Sequence, residues 1–91
     1  MRRAARVDAN QAAIVAALRK MGASVQPLHT IGKGCPDLLI GYRGKNLLAE
    51  LKADSSFTMD QLKWKTEWRG NCTTLHSVDE AIAFLKGIRI R

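Results

Sequence analysis

The sequence predicts an α/β fold: a mixed central sheet flanked by helices, in the order helix, strand, strand, strand, helix, strand, helix. Three observations predict it. Two apolar runs, residues 37–42 and 46–52, flank Arg43-Gly44, the mark of a tight hairpin. Thr58 with Gln61, and Ser77 with Glu80, have the spacing of helix-opening capping boxes. Val7, Ile14, Val15, Leu18 and Met21 fall on one stripe at helical spacing ahead of the first strand.

The first helix is expected over residues 8–21, with Gly22 as its stop. Gln11 lies near the middle of its apolar stripe; it either finds a backbone partner or borders a polar site. Residues 24–29 read as a short strand, and Pro27 places it at an edge. The loop 30–35 carries Gly32 and Gly34, which permit close backbone approach and unusual dihedrals. The two apolar runs are expected to be central strands covered on both faces. A second helix is expected over 58–69, with Phe57 and Leu62 as a hydrophobic staple and Gly70 as the stop. Residues 72–75 form a short strand. Ser77 opens a last helix with Val78, Ala81, Ile82 and Leu85 on one face, Gly87 ends it, and a basic tail follows to Arg91.

Ninety-one residues without repeat, linker or low-complexity tract are expected to form a single domain, 1–91. The basic start is followed by no apolar run, so it does not read as a signal peptide, and no run approaches a membrane span. Cys35 and Cys72 read as reduced thiols, and the expected location is cytoplasmic. Fifteen Lys and Arg against eight Asp and Glu give a formal charge of +7, which favours polyanionic partners.

Chemistry concentrates on the hairpin. A two-residue turn at Arg43-Gly44 pairs Tyr42 with Lys45 and, counting outward, Asp37 with Glu50. Their Cβ atoms would lie roughly 4.5–5.5 Å apart. Lys52, two residues beyond Glu50, projects from the same face. Two carboxylates so close repel unless a cation lies between them or one is protonated. Their hard oxygen atoms suit Mg²⁺ or Mn²⁺, which polarise a phosphodiester and acidify bound water. Lys52 is placed to orient or deprotonate that water, or to stabilise transition-state charge. A solvated strand face or cross-strand ion pair is the plain alternative for Glu-Leu-Lys. A three-residue turn would put the two acids on opposite faces.

Gly34-Cys35-Pro36-Asp37-Leu38-Leu39, then Glu50-Leu51-Lys52, then Gln61 with Trp64 and Trp68, resemble the PD-(D/E)xK nuclease superfamily. Within it the chain is most similar to the virus-type replication-repair nuclease (VRR-NUC) domain in its stand-alone, phage-like form. Asp8-Ala9-Asn10-Gln11 and Trp68-Arg69-Gly70 extend the likeness over roughly residues 6–86. The resemblance implies a restriction-endonuclease-like fold and a metal-dependent, structure-selective DNA nuclease leaving a 5′-phosphate and a 3′-hydroxyl. It implies Asp37 and Glu50 as metal ligands, the Leu51 carbonyl as a further ligand and Lys52 as the catalytic lysine. Gln11, with Asn10 second, matches a polar position on the first helix where relatives often carry glutamate. Gln61 matches a polar catalytic position, and its role as a helix cap competes with that. Stand-alone relatives imply a homodimer able to resolve four-way (Holliday) junctions, in a bacterial or phage-infected cell. A non-catalytic DNA-binding module on the same fold is the alternative, as is a sequence-specific restriction-like fragment.

Other residues carry less. His29 and His76 are not spaced with the cysteines as a zinc site. Trp64 and Trp68, one helical turn apart, are expected in core or dimer packing, with stacking on unpaired bases as the other reading. Lys63, Lys65 and Arg69 line either a phosphate track or a solvated helix face.

Overall fold

The computed structural model describes residues 2–52 and 56–88, with the backbone alone for residues 2–8. The described elements are α1 (Arg2–Lys20), β1 (Ser24–Pro27), β2 (Leu38–Tyr42), β3 (Lys45–Leu51), α2 (Met59–Glu67), β4 (Thr73–Leu75) and α3 (Val78–Lys86), in the expected order. The side chains of Val7 and Asp8, and the basic tail 89–91, lie outside the described residues.

Helix α1 starts earlier than expected because the Arg and Ala residues ahead of Asp8 are strong helix formers. It ends in a double backbone cap. The Ala23 N–H donates to the Leu18 carbonyl (3.1 Å) and the Gly22 N–H to the Arg19 carbonyl (3.0 Å). Gly22, at φ +99°, takes the left-handed position that this cap requires.

The sheet order is β1-β2-β3-β4, with the first two pairings antiparallel and β3-β4 parallel. Strand β1 is an edge, and Pro27 closes it opposite Leu38. The strand stops short of His29 because the chain turns there, with the Ile31 N–H on the Leu28 carbonyl (3.0 Å). Arg43 (φ +52°) and Gly44 (φ +81°) are both left-handed, as a two-residue hairpin turn demands. The turn pairs Tyr42 with Lys45 and Leu38 with Ala49.

Leu38, Ile40, Ala49, Leu51 and Leu75 face Ile14 and Leu18 of α1 and Ala81 and Leu85 of α3 in one buried cluster. The alternate residues turn the other way, and that face is not sealed by apolar packing as expected: Leu39 stays 37% exposed. Helix α2, which connects β3 to β4, buries none of its residues. It also ends at Glu67, before Gly70, because Trp68 leaves helical geometry (φ −77°, ψ 128°) after donating its N–H to the Trp64 carbonyl.

Helix α3 opens at Ser77, whose hydroxyl accepts from the Glu80 N–H. The Glu80 carboxylate reaches back one residue further than a capping box, to the His76 N–H (2.8 Å) and imidazole (2.9 Å). These bonds, the backbone one foremost, hold the Glu80 carboxyl below its ordinary range. No helix among the described residues is long and apolar enough to cross a membrane.

Candidate active site

The hairpin register brings Asp37 and Glu50 together. One step outward from the Leu38–Ala49 pair, Asp37 leads into β2 opposite Glu50 on β3. Asp37 is fixed by the main chain on both sides. Its carbonyl accepts from the Leu28 N–H (2.8 Å), and its Oδ2 accepts from the Leu51 N–H (2.7 Å). Both bonds tie the end of β2 to its neighbouring strands.

Glu50 is only 4% exposed. Its carboxyl shares a hydrogen bond with that of Asp37, and Gln61 Nε2 donates to its Oε2 at 2.7 Å. Burial, then the Asp37 charge and the shared hydrogen bond, push the Glu50 carboxyl up to about 8, while Lys52 and Lys65 pull it down. Without a cation, the Asp37–Glu50 pair therefore holds a shared proton more tightly than an ordinary carboxyl does.

Gln61 does two jobs. Its Oε1 accepts from the Thr58 N–H (2.9 Å) and its own N–H donates to Thr58 Oγ1 (3.1 Å), a complete capping box. With the oxygen committed to the cap, the amide nitrogen is aimed at Glu50. The two readings of Gln61 are thus one arrangement: the helix start orients the side chain that holds the acid. Gly34 (φ +80°) fixes where this helix start sits, since a Cβ at that position would collide with the Asp60 carbonyl. The glycine thereby lets the loop before Asp37 run against the first turn of α2.

Lys52 projects beyond Glu50, with its Nζ 5.1 Å from the centroid of the Phe57 ring. Lys65 Nζ lies 5.0 Å from the same centroid and donates to Thr74 Oγ1 (3.3 Å). Thr74 is the β4 partner of Glu50. Sequence reasoning left Lys65 among the solvated or track-lining cations of α2. Its signal was available: it lies one helical turn beyond Gln61, so the two share a face. Phe57, given only a capping role, is the ring on which both ammonium groups rest.

The other candidates lie apart. Gln11 lines a shallow groove on α1 with Ala12, Val15, Ala16 and Arg19. No hydrogen bond among the described residues joins Gln11 or Asn10 to Asp37, Glu50 or Lys52. Trp64 and Trp68 are outside the core and stack on each other, with centroids 4.6 Å apart and planes 17° from parallel. Trp68 remains 46% exposed. Cys35 and Cys72 are free thiols, and burial raises both above the ordinary range, so they stay protonated at neutral pH. Among the described residues no cluster of three or more His, Cys, Asp or Glu is arranged to hold a metal. Among the described residues the paired donors are the Asp37 and Glu50 carboxyls.

Comparison with protein-family models, curated proteins and solved structures finds no match.

Proposed function

We propose that the chain is a metal-dependent, structure-selective DNA nuclease of the PD-(D/E)xK type, on a restriction-endonuclease-like fold of the VRR-NUC kind. The observation that carries this reading is the nearly buried Glu50 carboxyl, bonded to Asp37 and flanked by two lysines. A fold gains no stability by confining two acids in one place, since burial and mutual repulsion both penalise their charge. Such a pair is useful where a cation is to be held. The donor set fits Mg²⁺ or Mn²⁺, which accept one or two carboxylates and retain several waters. Asp37, Glu50 and the Leu51 carbonyl would hold the ion, which when bound supplies a Lewis acid for the phosphodiester and a more acidic water.

The chain's own groups do the rest. The Leu51 N–H and Gln61 Nε2 each fix one carboxyl oxygen, and the two carboxyls are bonded to each other. Lys52 follows directly on the end of β3, two residues past Glu50, and brings positive charge to the developing phosphorane-like transition state. Gln61 is a positioning residue for Glu50. The exposed apolar side chains Ile31, Leu39, Met59, Leu62 and Trp68 support assembly as a homodimer, whose two-fold symmetry suits paired cuts in a four-way junction. A cytoplasmic setting, in a bacterial or phage-infected cell, belongs to the same proposal.

The test is cleavage of matched duplex, flap, splayed and four-way DNAs with Mg²⁺ or Mn²⁺, alongside light scattering of the same fractions. Cleavage favouring branched DNA by a dimer is the expected result. Tight binding without cleavage would instead identify a DNA-binding module.

A further inference from the structure

We infer that Lys65, paired with Lys52 across the Phe57 ring, forms a phosphate-binding site for the nucleic-acid backbone beside the Asp37–Glu50 pair. The inference rests on the nucleic-acid reading above and adds to it a residue and a ligand group. It starts from the two ammonium groups, 5.1 Å and 5.0 Å from one ring centroid. Two like charges are not gathered on one ring by their own interaction, which is repulsive. The ring face attracts each cation, and Thr74 Oγ1 holds Lys65 from the far side at 3.3 Å.

Among the described residues neither lysine is held in an ion pair. Among the described residues the only ion pair within 4.0 Å is His76–Glu80, which involves neither lysine. The acids close by are Asp37 and Glu50, whose carboxyls are bonded to each other, to the Leu51 N–H and to Gln61 Nε2. The result is two cations, preorganised by a ring and a hydroxyl, at the rim of the acidic pair. A phosphodiester is the anion that this spacing and the +7 chain would recognise. Helix α2 makes the link: Gln61 holds Glu50 and Lys65, one turn on, holds the phosphate. Bringing a phosphate to the acids without a direct carboxylate–phosphate clash requires a cation on that side, and Lys65 supplies it.

The experiment measures binding of a short DNA duplex in EDTA over a range of salt, so that no cleavage is needed. Lys65→Gln is compared with Lys65→Arg and with Lys86→Ala, an equal charge loss on α3 at the other face of the sheet. Lys65→Gln is expected to weaken binding about tenfold at low salt. It should also make the log-affinity against log-salt slope shallower by about one. Lys65→Arg should retain most of the affinity, and Lys86→Ala should change it far less. Equal effects of Lys65→Gln and Lys86→Ala would overturn the site. If Lys65→Gln does not fold, the wild-type lysine side-chain NMR signals are followed while a 5′-phosphorylated dinucleotide is added. A shift of the Lys65 signal is expected, and an unmoved Lys65 overturns the site. Because no arm depends on catalysis, an inactive protein that binds through Lys65 would remove the nuclease reading and leave this one.

Discussion

The two faces of the sheet are made by alternate residues of the same strands, yet they are built on opposite rules. On the helix face, Leu38, Ile40, Ala49 and Leu51 meet α1 and α3, and no polar side chain is buried with them. On the other face, one residue away along each strand, Leu39 stays partly exposed while Glu50 is buried. The covering helix there, α2, is fastened by polar contacts: Gln61 to Glu50, Lys65 to Thr74 and the Gly34 loop against Asp60. The difference separates stability from chemistry. One face contributes the burial that folds a small domain, and the other confines two acids at a cost to stability.

The largest expected effect breaks the chemical face alone. Asp37→Ala, Glu50→Ala and Lys52→Ala should each lower cleavage by about three powers of ten or more, with the protein still folded by circular dichroism. A folded Asp37→Ala protein with wild-type turnover would remove Asp37 from the site.

Next in size is the converse substitution. Leu38→Ala or Ile40→Ala on the helix face should cost about 2–5 kcal/mol in urea denaturation, enough to unfold much of a small domain. Leu39→Ala, between them in sequence, should cost clearly less than either, because part of its side chain is already in water. Comparable losses at Leu38 and Leu39 would erase the distinction between the faces.

A third effect concerns pH. The Glu50 carboxyl is raised from 4.5 to about 8 in the folded protein, by burial first and then by Asp37. The folded state therefore binds a proton that the unfolded chain releases. Its stabilising contribution is complete below about pH 4.5 and is lost as pH rises through about 8. In EDTA, the melting temperature of the wild type should fall across that window. Glu50→Gln, which keeps the hydrogen-bonding shape without the charge, should flatten the decline and melt higher at pH 8. An unchanged slope in Glu50→Gln would show that another group controls it.

The smallest effect tests the link between cap and site. Gln61→Glu keeps a capping acceptor but cannot donate to Glu50, so it should hold stability within about 1 kcal/mol while lowering kcat more than KM. Gln61→Ala loses both functions. Wild-type activity in Gln61→Glu, with the loss confined to Gln61→Ala, would mean that only the cap matters.

Much of this was legible in the sequence where it follows from local rules. The Arg43-Gly44 turn sets the hairpin register, and the register places Asp37 opposite Glu50. The glycine stop of α1 and both helix starts are likewise short-range features. What depends on how α2 lies over the sheet was not legible. Apolar runs in β2 and β3 look the same whether one face is covered or two, so Leu39 was expected inside. The spacing of Trp64 and Trp68 puts them on one side of a helix, but only the packing reveals that they stack on each other outside the core. Gln61 posed a choice between cap and site because the sequence shows one side chain, not its two ends. Lys65 was hidden by the many exposed lysines around it, and its contacts with Phe57 and Thr74 arise only when β4 pairs with β3.

The central claim is that the acid pair on the open face works with a divalent cation to cut DNA. Its most direct test is nicking of supercoiled plasmid by the folded wild-type protein, first in EDTA and then after Mg²⁺ or Mn²⁺ is restored. No product in EDTA, with nicked and linear DNA appearing on restoration and absent for Asp37→Ala, is the expected result. Equal cutting in EDTA, or none with either ion on plasmid or branched DNA, would contradict it.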